Sequence, residues 1–533
     1  MPSLWRRAAA AILPVLVLFN APNARAETSL WVETPGVMIM PDRAAGTVKA
    51  IATTGFGNAT SVAQLALRSD QPGPFSFEWT ELKGAAGKVI AKSDISLFRA
   101  ADIEVAKTSH ENRSKDPLRG RPLGMFPDAL VPLIGRDGSN VANTIKPEKD
   151  KTTAFWVDIL VPAATPAGQY TGGITLKSGD AALQIPVKVI VYNAGIPADS
   201  TIPSLYNLRD HPHVRANIEN YVAETMAHRL QPTNYHYADL QPDFIDKYNP
   251  NGKGFASVYF WDTQPSAKIA DNLKRITAHL KEKKLFENSF LQLKDEPGPQ
   301  EIPGLIEVAK AVLRNFPEWK GKIVDTLSSK EGTELDSYVT FHVKPPSLYG
   351  PWSWTKHDGR EEWDKRRADG QQLWFYISNS QGTPYPTFDI DTPNLAFEPR
   401  VMPWAWWFEK ATGHLYWDLM FEPKWKLNPG FPPGDGQLMF PGDFTLPGAP
   451  AWAQIKDLKG PVVSRRMKSF RQGLEEWELL RIAEKKFGRE KIQPIVAKVY
   501  TCMGQKDPAA ASWSYDEAAW DKARVAVLDL FGQ

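Results

Sequence analysis

From residue 27 to about 196, short apolar runs alternate with turn residues: "GTVKAIAT", "FSFEWTEL", "TTAFWVDILV", "GQYTGGITLK" and "LQIPVKVIVY". Apolar and polar positions trade places every residue or two, and no helical face develops. That pattern predicts an antiparallel β-sandwich over residues 27–196. The last two runs read as its closing hairpin, ahead of a Pro-bounded linker near Pro197–Pro203.

After residue 200 the rhythm changes. Eight strand candidates lie between Ser204 and Leu419: "PSLYNL", "PTNYHY", "FASVYFWD", "SFLQL", "KIVDTL", "YVTFHV", "QLWFYIS" and "GHLYWDL". Helical patterns separate several of them. In "SAKIADNLKRITAHLKEKK", Ile269, Leu273, Ile276 and Leu280 fall on one face, and Ser266 is the candidate N-cap. In "QEIPGLIEVAKAVLRNF", Ile302, Leu305, Ala309, Val312 and Phe316 do the same. Eight alternating units predict a (β/α)8 barrel over 200–487. An open doubly wound sheet is the alternative, but no Gly-rich phosphate loop follows the first strand. A long helix, "SRRMKSFRQGLEEWELLRIAEKKFG", closes the barrel; Ser464 caps it, and Met467, Phe470, Leu474 and Trp477 line its apolar side. Residues 488–533 read as further helices packed on the body.

Composition narrows the picture. The chain has 533 residues, 42% hydrophobic and 23% charged, which is globular. Its net charge of +2 gives no electrostatic case for nucleic acid. At the N-terminus, Arg6 and Arg7 precede "AAAAILPVLVLF" and then Ala24-Arg25-Ala26. That is a signal peptide over 1–26, predicting export to the periplasm or the extracellular space after cleavage near Ala26. The apolar stretch falls short of the ~20 residues that span a bilayer, and no Cys follows for a lipid anchor, so no stable membrane anchor is expected. Cys502 stands alone, which excludes an intrachain disulfide. The nine His are scattered without metal-ligand spacing, so neither metal nor other cofactor is expected.

The candidate chemistry lies in "LQLKDEPG". Asp295 and Glu296 end the fourth strand candidate, at what a barrel makes its catalytic face. Side chains alternate along a strand, so neighbours should point apart unless the strand breaks. Pro297 and Gly298 supply a break. Repulsion between the two would raise the pKa of one. The same letters also suit a solvated turn.

The ordered set "LKDEPG", "GHLYWD", "PGDGQLMFPG" and "SRRMKSFRQGLEEWELL" resembles glycoside hydrolase family 123 and its wider clan of uncharacterised secreted proteins. "LGMFPDALVPL" and "TPAGQYTGGITL" resemble the N-terminal sandwich of the same proteins, so the likeness spans nearly the whole mature chain. It implies a β-N-acetylgalactosaminidase acting on a glycan or glycoconjugate by substrate assistance. In that scheme the sugar's own acetamido oxygen attacks the anomeric carbon. Asp295 holds the acetamido N–H, while Glu296 protonates the leaving oxygen and then activates water.

Other residues are weighed against plainer roles. Tyr376 either holds the acetamido oxygen or is a core tyrosine. Trp374 shares its face and is core or sugar platform. Of Trp417 and Asp418 one should face the pocket, and a stacking Trp417 is preferred. Of Trp404, Trp406 and Trp407 one can reach a sugar. His236 and His342 are polar candidates at the second and sixth strand ends. Lys294 either pairs with Asp295 or is solvated. Glu475-Glu476 reads as structural or solvated. Two other readings stay open: a glycosidase with a covalent nucleophile such as Asp418 or Asp391, and a barrel that binds glycans without turnover.

Overall fold

The computed structural model describes residues 27–106, 123–209, 211–233, 242–249, 256–259, 265–326, 334–346, 360–378, 385–421, 434–443, 452, 458–501 and 513–532. Residues 1–26, His236 and Cys502 lie outside them.

Two sheets form the N-terminal part. One has seven strands in the order Thr28–Glu33, Ala59–Ser69, Thr152–Val161, Ile95–Val105, Gly124–Pro132, Val462–Ser464 and Met439–Phe440. The other runs Ile51–Gly57, Ala181–Gly195, Gly168–Ser178, Leu82–Lys83 and Val89–Ile90, with Ser76–Trp79 also on Gly168–Ser178. Their inner faces share a core that includes Leu65, Phe155, Val157, Ile174, Leu176 and Val187. Pairing is antiparallel except between Ile51–Gly57 and Ala181–Gly195, which run parallel. The sequence does not foreshadow the last two strands of the larger sheet. They come from the loop-rich segment after the barrel and cross back to the sandwich.

The second part is an eight-stranded parallel sheet. We number its strands β1 (Ser204–Asn207), β2 (Pro232–Thr233), β3 (Ala256–Tyr259), β4 (Ser289–Asp295), β5 (Ile323–Thr326), β6 (Phe341–Lys344), β7 (Gln372–Tyr376) and β8 (Gly413–Tyr416). All eight match strand candidates of the sequence. β1 pairs with β8, and from there each strand pairs with its chain neighbour round to β3. First-to-last pairing is the strand order of a barrel and differs from that of a doubly wound sheet. The pair β2–β3, which would complete the ring, is not formed among the described residues.

Alternation along the strands sorts two layers. Leu205, Phe290, Val324, Phe341, Val343, Trp374, Tyr376 and Leu415 fill the interior. Leu291, Leu293, Ile323, Leu373 and Phe375 face the helices. Helix Ala267–Glu282 buries the four residues of its predicted face, and the Ser266 hydroxyl accepts from Ile269 N–H.

The long helix, Arg465–Phe487, is capped by Ser464 as expected. Its polar face departs from expectation: Arg465, Arg466, Lys468, Arg471, Glu475, Glu476 and Glu478 are all buried. The helix is wedged between the sandwich and the eight-stranded sheet, so both of its sides meet protein. Arg466 forks onto Asp128 at 2.9 and 2.7 Å, and Asp158 accepts from Lys468 at 2.6 Å and Arg471 at 2.8 Å. Glu475 accepts from the Thr60 N–H, and Glu476 pairs with Arg400 and Arg524. This carboxylate pair is therefore structural and buried rather than solvated. No helix among the described residues is long and apolar enough to cross a membrane.

Candidate active site

The site is built by a change of step between β4 and β5. Gln292 lies opposite Val324, but Asp295 lies opposite Thr326. Three residues advance on β4 while two advance on β5, which is a bulge. Strict alternation from Phe290 and Gln292 would turn Asp295 toward the helices. The extra residue reverses that parity and sets Asp295 beside inward-facing Thr326. The chain then turns at Glu296, whose φ is +44°. A non-glycine residue there costs on the order of 1–3 kcal/mol and must be held by its surroundings. The break thus falls one residue earlier than Pro297-Gly298; Gly298 has no positive φ and instead starts the next turn through Glu301.

Thr326 serves both carboxylate residues. Its hydroxyl donates to Asp295 Oδ1 at 2.6 Å and accepts from the Glu296 N–H at 2.9 Å. Glu296 is held from the other side, where the Tyr376 hydroxyl at the end of β7 donates to its Oε1 at 2.7 Å. The neighbours therefore carry side chains held by different strands. Asp295 is exposed at the strand end, yet partial loss of solvent round its carboxyl raises it above the ordinary range; the Thr326 hydroxyl and Lys294 oppose this, and the Glu296 charge adds to it. Burial, then the Glu296 charge, pushes the Tyr376 phenol well up, so it stays a donor. Lys294 also approaches Glu301 at 3.6 Å.

The ends of β8 and β1 form a second wall. Asp435 accepts from the Tyr416 hydroxyl and from Trp417 Nε1, each at 3.0 Å. The Trp417 ring is half-buried and packs against Gly436, where any Cβ would overlap it. Its neighbour is Phe421 at 5.1 Å, and the Arg209 guanidinium stands over Phe421 at 4.7 Å. Asp418 is fully buried; it takes the Met420 N–H at 2.8 Å and pairs with Arg209. Burial pushes its carboxyl up to about 7, with Arg209 opposing. Asp435 also contributes to the field at Tyr376. Arg466 fixes this wall by donating to the carbonyls of Phe388, Gly434 and Gln437.

Several candidates are not brought to this site. Trp374 is wholly buried on the inner face of the eight-stranded sheet, with its ring 4.9 Å from Phe290 and 5.3 Å from Phe341. It is core, not platform. Trp404 is also wholly buried; its indole donates to Glu476 at 2.7 Å and its ring meets Trp520. Trp406 and Trp407 are buried with it, because helix Glu398–Phe408 is covered by the long helix. His342 is buried against Trp363 and Asp336, and burial lowers its imidazole to about 4. Asp391 is buried. Four residues of the neighbourhood were passed over in the sequence: Thr326, Asp325, Asp435 and Arg209. Asp325-Thr326 end "KIVDTL" as Asp295-Glu296 end "SFLQLKDE", so polar residues at a barrel strand end were the available signal.

Comparison with known proteins agrees with this architecture. The family model described as the catalytic domain of glycoside hydrolase 123 matches residues 246–483. A family 123 glycoside hydrolase from Clostridium perfringens, studied for glycolipid glycan hydrolysis, superposes with a TM-score of 0.68 at 12% identity, over 95% of this chain and 97% of that one. Two β-glucuronidases give TM-scores too low to bear on the fold. The Parabacteroides merdae enzyme scores 0.25 at 9% identity, over 73% of this chain and 47% of that one. The Bacteroides uniformis enzyme scores 0.26 at 10% identity, over 84% and 51%. A search of curated proteins found no match. The matched segment runs from before β3 into the long helix, and over it this chain is similar to the catalytic domain of glycoside hydrolase family 123.

Proposed function

We propose that this glycoside hydrolase releases terminal β-linked N-acetylgalactosamine, or a related N-acetylhexosamine, from a glycan or glycoconjugate by a retaining, substrate-assisted reaction. The observation that carries the reading is the divergence of two adjacent carboxylates, one on Thr326 and the other on Tyr376. Two groups aimed at different atoms of one sugar suit substrate assistance. The acetamido carbonyl oxygen attacks the anomeric carbon as the glycosidic C–O bond breaks. Glu296 gives its proton to the departing oxygen. Asp295, ionised, accepts the acetamido N–H and offsets the positive charge of the oxazolinium ring. Water then adds at the anomeric carbon, Glu296 takes its proton, and the ring reopens. The Tyr376 hydroxyl, released from Glu296 when that carboxyl is protonated, donates to the acetamido oxygen. Trp417 lies beneath the sugar face.

A covalent nucleophile is disfavoured by the state of Asp418. One of its oxygens takes the Met420 N–H and the other takes Arg209, and its carboxyl is wholly buried. A nucleophile needs a free lone pair facing the anomeric carbon.

The same reading takes β1–β8 as a closed (β/α)8 barrel, with domains at 27–196, 200–487 and 488–533 and with export directed by residues 1–26. The functional test compares an aryl β-N-acetylgalactosaminide with the matching β-galactoside, and adds a thiazoline analogue of the oxazoline. Strong preference for the acetamido sugar and inhibition by the thiazoline support the reading. Equal rates and no inhibition refute it.

A further inference from the structure

The bulge that turns Asp295 inward has a cost: an extra residue on β4 disturbs the ladder and needs another partner for its backbone. That partner is a side chain of β5. Asp325 Oδ1 accepts the Thr326 N–H at 2.9 Å, and the N–H of Lys294, the residue before Asp295, faces the same carboxyl. Val324 faces the barrel interior, so Asp325 faces the helices, and it is wholly buried. It touches no solvent and cannot reach a sugar. Its Oδ2 has no hydrogen-bond partner among the described residues.

We propose that Asp325 is a positioning residue for the carboxylate pair: by binding the Thr326 amide and facing that of Lys294 it holds Thr326, and with it the register that points Asp295 at the barrel mouth. It does so as a neutral acid. A buried carboxylate with one bare oxygen is costly, whereas a protonated carboxyl keeps the Oδ1 acceptor and adds no charge behind Asp295. Burial, with the charge of Asp295 in the same sense, pushes this carboxyl well above the usual range against the opposing pull of the Thr326 and Lys294 amides. The kinetic consequence rests on the reading of Asp295 given above; the structural consequence does not.

The neutral role makes Asp325→Asn a faithful copy, with an amide oxygen in place of Oδ1. Asp325→Leu has similar size and no acceptor. Crystal structures of both variants, thiazoline affinity and N-acetylgalactosamine affinity decide the matter. In Asp325→Asn the contact between Thr326 and Asp295 persists and thiazoline binds within about threefold of wild type. In Asp325→Leu that contact is lost and thiazoline affinity falls at least about tenfold, while the product sugar still binds within about threefold. Loss of general folding would not separate the two ligands in this way. The proposal is overturned if Asp325→Leu keeps the contact, or if Asp325→Asn loses it; the second result, or the first, stands alone should the other variant not fold. If instead the wild type binds no thiazoline, the substrate reading fails, and the structures still judge the positioning role.

Discussion

The Tyr376 hydroxyl on β7 donates to Glu296 on β4 at 2.7 Å, across the mouth of the eight-stranded sheet. The bond joins two strands that are not neighbours, and it ties the group assigned as acid to the group assigned to the acetamido oxygen. Removing the hydroxyl should therefore harm the chemical step more than binding. Tyr376→Phe is expected to lower kcat on an aryl β-N-acetylgalactosaminide by about 10- to 100-fold, from the ~1.5–3 kcal/mol of a hydrogen bond to a charged group, with KM little changed. Steady-state kinetics check this. An unchanged kcat would leave Tyr376 a core residue.

Thr326 is the hinge of the pair, since one hydroxyl holds Asp295 and the Glu296 backbone. Valine fills the same space without either bond. Thr326→Val should cut kcat/KM by about tenfold or more, and Thr326→Ser should restore most of it. Kinetics of both variants are the check. Full activity in Thr326→Val with loss in Thr326→Ser would mean that packing of the methyl group matters, not the hydroxyl.

The eight parallel strands and the place of Asp295 at a strand end were legible in sequence, because eight short apolar runs and their spacing are local signals. The shared face of Trp374 and Tyr376 was legible too, from alternation alone, and both line the interior. The bulge was not. Register is a relation between two strands, and nothing in "SFLQLKDE" says how it will sit against "KIVDTL". Nor was the burial of Trp404 or Glu476 legible. Their helices look amphipathic in isolation, and only the wedge between sandwich and barrel covers their second faces.

Trp417 and Trp404 separate a sugar platform from a core indole. Trp417→Ala should raise KM several-fold with a small change in kcat, which is the signature of lost uniform binding. Trp404→Phe leaves Glu476 short of one buried donor and should lower stability by about 1–3 kcal/mol with KM unchanged. Paired kinetics and thermal melts check both. A KM effect at Trp404 with none at Trp417 would reverse the assignment.

Asp418 predicts a pH dependence of stability. Its carboxyl is pushed up to about 7 in the fold, against about 3.9 in an unfolded chain. Between those values the folded protein keeps a proton that the unfolded chain has released. Stability from this group therefore falls as pH rises from about 4 to 7, by up to ~1.4 kcal/mol per unit, and the loss is complete above that. Asp418→Asn is neutral throughout. Melting temperatures of the two proteins should diverge in favour of the variant from about pH 5 to pH 8, and a constant difference would contradict the shift.

The most direct test of the account is the rate ratio between an aryl β-N-acetylgalactosaminide and the aryl β-galactoside with the same leaving group. Substrate assistance by an acetamido group held at Asp295 predicts hydrolysis of the first at least about a hundredfold faster, consistent with the size of intramolecular catalysis. Equal rates on the two would contradict it.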